Sequence, residues 1–109
     1  MISVRAVIAE GAYRMVSCEG HAGFSQKGTD IVCAAASVLV INTLNAIEEL
    51  TDTTYDAYQD ADGGVIRAEF NSGVGEGAAL LLDAMLMGLK EIERQYGRKY
   101  IRLQIENAN

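Results

Sequence analysis

Between Asp30 and Leu50 the apolar residues are packed too densely for an ordinary surface helix. Ile31, Val32, Val38, Leu39, Val40, Ile41, Leu44, Ile47 and Leu50 fall at helical spacings, and as far as Ile41 they cover nearly every side. A helix of this kind needs shelter all round. The chain must therefore place a sheet against one side and a second helix, or a second subunit, against another. Gly28, Thr29 and Asp30 precede it, residues that favour a helix start, and Asp30 is the expected N-cap.

The remaining segments supply that shelter. Ile2, Val4, Ala6 and Ile8 alternate with Ser3, Arg5 and Val7, and Glu10-Gly11 separates them from a second strand over Tyr13 to Glu19. A second hairpin is expected from Thr54–Gln59 and Val65–Phe70 around the turn Asp62-Gly63-Gly64. A second helix follows over Glu76–Tyr96, stopped by Gly97, and Tyr100–Glu106 closes as a strand. The order is ββαββαβ, an α+β protein with a mainly antiparallel five-stranded sheet packed with two long helices. Residues 1–109 are expected to form a single domain. The two helices carry more apolar surface than such a sheet can cover, which points to a homodimer through the helical layer.

Charge and composition narrow the class of function. Of 109 residues half are hydrophobic, and the net charge of −6 argues against a nucleic-acid backbone as partner. Glu48, Glu49, Asp52, Asp56, Asp60 and Asp62 form an acidic block with no basic residue among them, either a solvated face or a surface that attracts a basic partner. The start of the chain lacks a signal-peptide core, and no apolar run of spanning length is free of glycine or polar interruptions, so a cytoplasmic protein without membrane contact is expected. Cys18 and Cys33 lack zinc or thioredoxin spacing; no metal and no cofactor are expected, and Cys18, on a strand beside Val16, is expected to pack.

Candidate chemistry converges on Gly20 to Cys33. His21 ends the second strand, and a glycine-rich loop of about eight to ten residues separates it from Cys33. With Asp30 as cap, Cys33 stands at the third helical position, where backbone N–H groups and the helix dipole favour a negative charge. Among alanine and valine the same cysteine also suits plain core packing. The helix start can act as an oxyanion hole, and Asp30 can cap the helix or orient the imidazole. "NSGVGEG", residues 71 to 77, follows a strand and opens a helix, but it matches no phosphate-binding motif and reads as a turn with a helix start.

Gly20 to Ser37, "GHAGFSQKGTDIVCAAAS", resembles the signature of the ribosomal-processing cysteine protease family, Prp. The resemblance implies a catalytic pair of His21 and Cys33, with Asp30 as the supporting acid. It implies a cytosolic homodimer that removes a short N-terminal extension from the twenty-seventh protein of the large ribosomal subunit. In that reading the loop is a movable cover, with Gly20, Ala22, Gly23, Phe24 and Gly28 as lid and substrate-binding positions and Phe24 closing on an apolar segment. The competing reading is a non-catalytic acidic dimer that binds a ribosomal protein or assembly factor. A third is a thiol-redox sensor centred on Cys33.

Overall fold

A computed structural model describes residues 1–20, 30–61 and 64–108. Strands β1 (Ile2–Ala9) and β2 (Ala12–Glu19) precede helix α1 (Ile31–Leu50). Strands β3 (Asp56–Gln59) and β4 (Val65–Glu69) precede helix α2 (Glu76–Tyr96), and β5 (Ile101–Asn107) ends the series. The expected ββαββαβ order is therefore present. The sheet order is β3-β4-β2-β1-β5, antiparallel except where β5 runs parallel to β1 at the edge.

Alternation on the strands decides which face the helices cover. Val4 pairs with Cys18 and Ala6 with Val16, while Ile66 and Ala68 of β4 continue the same two rows. All six are buried. Residues of the opposite phase, such as Arg5 and Arg67, point to the open face. There Arg5 bonds Glu106 across β1 and β5 at 2.8 Å and holds that carboxylate below its usual range. Between β1 and β2, Glu10 and Gly11 both take positive φ, of 54° and 77°, as a tight hairpin turn requires.

One helix boundary and one strand boundary follow from side-chain bonds. At the end of α1, the Thr51 hydroxyl and amide both donate to the Ile47 carbonyl. Beyond it β3 starts at Asp56, two residues later than the alternation predicts. Tyr55 is turned onto the helices instead: its hydroxyl donates to the Leu44 carbonyl at 2.9 Å and its ring meets Phe70 edge-on.

The shelter of α1 is incomplete within one chain. Val32, Ala36, Val40, Leu44 and Ile47 are buried, whereas Ile31, Val38, Ile41 and Leu50 are exposed, Val38 by 64%. Length and composition alone would suit a membrane span, but the buried residues pack in the core of this fold, and Asn42, Thr43 and Asn45 interrupt the apolar run. Helix α2 buries Ala78, Leu82, Met85, Leu86 and Leu89 and exposes Leu80 and Met87. The two helices pack closely at Gly88, where an added Cβ would lie 3.0 Å from the Leu39 Cδ1 atom.

Candidate active site

Strand β2 leaves the sheet at Gly20, and geometry there admits only glycine. Its φ is +91°, and a Cβ at that position would stand 2.5 Å from the Met1 carbonyl oxygen. Its amide donates to the Gly64 carbonyl at 2.7 Å, which fixes the exit point immediately before His21. Substituting Gly20 by alanine combines left-handed strain with a backbone clash and is expected to cost about 2 kcal/mol or more. Thermal melting should fall by roughly 10 °C for a domain of this size; an unchanged melting temperature would show that the chain leaves β2 differently.

At the other end of the loop, the expected cap is present. Asp30 has extended backbone angles, is buried, and accepts a hydrogen bond from the Cys33 amide through Oδ1 at 3.0 Å. Its carbonyl accepts from the Ala34 amide at 3.0 Å, which begins the helical ladder. Cys33 is thus held in the first turn of α1, half-buried and packed against the core. The Cys33 amide is thereby committed to Asp30 and is not a free donor at this helix start. His21, Ala22, Gly23, Phe24 and Gly28 lie outside the described residues.

Cys18 packs as expected, 6% exposed. Burial, with smaller contributions from nearby Cys33 and Glu19, pushes its thiol up to about 12. Both cysteines are free. Among the described residues no group of three or more His, Cys, Asp or Glu side chains is placed to hold a metal ion.

The part of the acidic block on α1 sits away from this site. Glu48 and Glu49 are exposed in the last turn of α1, where no basic residue offsets the negative helix end. Fifteen residues of helix separate Glu48 from Cys33, about 22 Å at the usual rise. Two members of the block have local duties: Asp56 accepts from Asn71 at 2.9 Å, and Asp60 accepts from the Val65 amide at 3.2 Å. Asp62 lies outside the described residues.

The residue 71–77 segment behaves as a turn and helix start. It helps line a cavity of about 630 Å³ with Thr51 to Thr54, but Gly75, the N-cap of α2, gives its amide to the Thr53 hydroxyl at 3.0 Å. Glu76 occupies the first turn, where an anion would meet its charge. Sequence reading missed a contact between the layers: the Tyr13 hydroxyl donates to Asp83 Oδ1 at 2.5 Å, and burial raises the phenol further above its usual range. The only sequence signal was a tyrosine on the covered face of β2.

Comparison with known proteins gives this geometry its context. The family described as Cysteine protease Prp matches residues 1–102. The chain is 37% identical over 87 residues to the ribosomal processing cysteine protease Prp of Staphylococcus aureus, covering 80% of this chain and 82% of that protein. With the protein of the same name from Bacillus subtilis it shares 33% over 81 residues, 71% and 72% of the two chains. It superposes with a TM-score of 0.91 on the crystal structure of the essential S. aureus Prp in complex with a covalently linked product peptide, at 34% identity over 97% of this chain and 100% of that one. The family match over residues 1–102, the identity with the S. aureus protein and a fold shared with its crystal structure over 97% of this chain place the chain in the Prp family of cysteine proteases.

Proposed function

We propose that this protease, acting as a single catalytic domain in the cytoplasm, removes the N-terminal extension of the twenty-seventh large-subunit ribosomal protein, with Cys33 as nucleophile and His21 as its acid and base. The observation that carries this reading is the Asp30-capped first turn that holds a half-buried thiol. The Cys33 thiolate attacks the scissile carbonyl, and the tetrahedral intermediate collapses to an acyl-enzyme as His21 protonates the leaving amine. His21 then removes a proton from water, which hydrolyses the thioester. The covalently linked product peptide in the S. aureus relative supports a covalent route. Asp30 positions the thiol through its bond to the Cys33 amide. The segment containing Gly20, Ala22, Gly23, Phe24 and Gly28 covers the substrate, Phe24 supplying the apolar contact.

The acidic surface suits a basic substrate. Because Glu48 and Glu49 lie about 22 Å along the helix from Cys33, they act on the body of a ribosomal protein through their field. Incubating the protein with the full-length extended substrate and with a short peptide spanning the junction tests both statements. One cut releasing the extension is expected in each, and added salt should slow only the full-length reaction. Substrates left intact would overturn the substrate assignment.

A homodimer completes the shelter of the helices. Ile31, Val38 and Ile41 on α1, with Leu80 and Met87 on α2, form the exposed apolar surface that it covers. In an isologous contact each residue is buried twice, so Val38→Glu should convert a dimer at micromolar concentration into a monomer. Sedimentation velocity decides this, and a parent protein that already sediments as a monomer would end the proposal.

A further inference from the structure

The open face of the sheet carries a row of polar side chains that the proposed hydrolysis leaves unused. Pairing registers set Tyr58 of β3 beside Arg67 of β4, Arg67 beside Ser17 of β2, Ser17 beside Arg5 of β1, and Arg5 beside Gln104 of β5. Ser17 stands at the centre of the row, out of phase with Val16 and Cys18, which point to the helices. A residue on an uncovered face is normally accessible, yet Ser17 is 2% exposed. It is the small residue among larger ones, Arg5 and Arg67 across the sheet and Met15 and Glu19 along β2, so its hydroxyl forms the floor of a depression. Among the described residues this hydroxyl is the buried side-chain polar atom that has no hydrogen-bond partner. Such a group costs stability until something satisfies it.

The two arginines beside it have donors to spare. Arg5 reaches toward β5, where Nε and Nη2 donate to Glu106 at 3.3 and 2.8 Å, and the rest of its N–H donors are uncommitted. Arg67 is exposed, lies with its guanidinium carbon 5.8 Å from the Tyr58 ring centroid, and makes no ion pair among the described residues. The row therefore holds one cation that Glu106 neutralises and one that nothing does. Glu19 and Glu69 share this face, with Asp56 and Arg102 at its margins. They stand farther from Ser17 than the arginines do, because neighbouring strands lie about 4.8 Å apart whereas two residues along a strand span about 7 Å. One uncompensated positive charge at the centre suits a monoanion, and the surrounding carboxylates repel a dianion.

We infer that Ser17, Arg67 and Arg5 form a binding site for the carboxylate of a small carboxylic acid on the open face of the sheet. One carboxylate oxygen accepts from the Ser17 hydroxyl and the other from the Arg67 guanidinium, with an uncommitted Arg5 N–H completing the set. Tyr58, exposed beside Arg67, offers its ring to the remainder of the ligand. The site lies on the opposite face of the sheet from α1, so it stands independently of the protease assignment at Cys33.

The test is to titrate isotope-labelled protein with sodium acetate at constant ionic strength, chloride making up the balance, and to follow the binding by NMR. Saturable shifts are expected at the Ser17 amide and the Arg67 Nε–H, with the amides of α1 and α2 unmoved. Ser17→Ala removes a hydroxyl that has no partner in the protein, so it should melt no lower than the parent. Its affinity for acetate should fall about tenfold, as expected for a lost hydrogen bond to a charged group. Arg67→Gln, at an exposed position, should fold like the parent and lose saturable binding. Inorganic phosphate at mildly alkaline pH, where it is a dianion, should bind more weakly than acetate. Shifts that grow without saturating, or equal affinity in the parent and both variants, would overturn the inference. A Ser17→Ala melt below the parent would show that the hydroxyl is satisfied within the protein and would equally end it, and tighter binding of phosphate would overturn the carboxylate assignment.

Discussion

Cys33→Ala is expected to lower cleavage of the extended ribosomal-protein N-terminus by about 10⁴-fold or more, because removing a covalent nucleophile leaves only binding and oxyanion stabilisation. His21→Ala should fall to a similar level, and the double variant should be little worse than either, since the two groups act as a unit. The fold itself should persist. Alanine replaces a small, half-buried side chain in a helix that already carries Ala34, Ala35 and Ala36, and it is a better helix former than cysteine. The Asp30 bond is made to the Cys33 backbone amide, so the cap is retained. Thermal melting within a few degrees of the parent, with peptide cleavage gone, is the expected pair of results. Cleavage that survives in Cys33→Ala would remove the mechanism, whereas joint loss of melting and cleavage would be answered by Cys33→Ser, which keeps the volume and lacks the thiolate.

What could be read from the sequence divides along local and long-range lines. Strand alternation in Ile2–Ile8 and in Val65–Glu69, and the helical spacing of Leu82, Met85, Leu86 and Leu89, are properties of short windows, and each element forms where its pattern lies. The Asp30 cap was equally legible, because capping spans only three residues. The parallel pairing of β5 with β1 was not, since Ile2 and Ile101 meet across nearly the whole chain and no local pattern encodes that register. The late start of β3 escaped for a similar reason: Tyr55 is drawn inward by the Leu44 carbonyl, a partner eleven residues away on a different element. At the site, the residue types that suit a nucleophile were visible, and a cap at Asp30 already makes the Cys33 amide its expected donor. Cys18 was read as packing, which it is.

Asp30 gives the second large effect, and its two candidate roles predict different outcomes for two substitutions. A cap needs an oxygen that accepts from the Cys33 amide, which asparagine supplies and alanine does not. A triad acid needs a negative charge beside the imidazole, which asparagine lacks; in a Ser-His-Asp enzyme that change costs about 10⁴-fold. The 3.0 Å bond from the Cys33 amide shows the Asp30 carboxylate engaged in the cap. The cap engages Oδ1, and a role as cap predicts that Asp30→Asn keeps most of the cleavage, with the amide oxygen turned toward Cys33. Asp30→Ala leaves a buried amide without its acceptor and frees the turn that holds the thiol. It should lose about 1 kcal/mol of stability and, by displacing the nucleophile on the order of 1 Å, about 10²-fold in kcat/KM. A pH profile of the asparagine variant separates the roles further: capping alone leaves the titration of the acid-base partner where it was, whereas removal of a neighbouring carboxylate lowers the pKa of an imidazolium. Asparagine behaving as badly as alanine, with a shifted profile, would move Asp30 from cap to triad member.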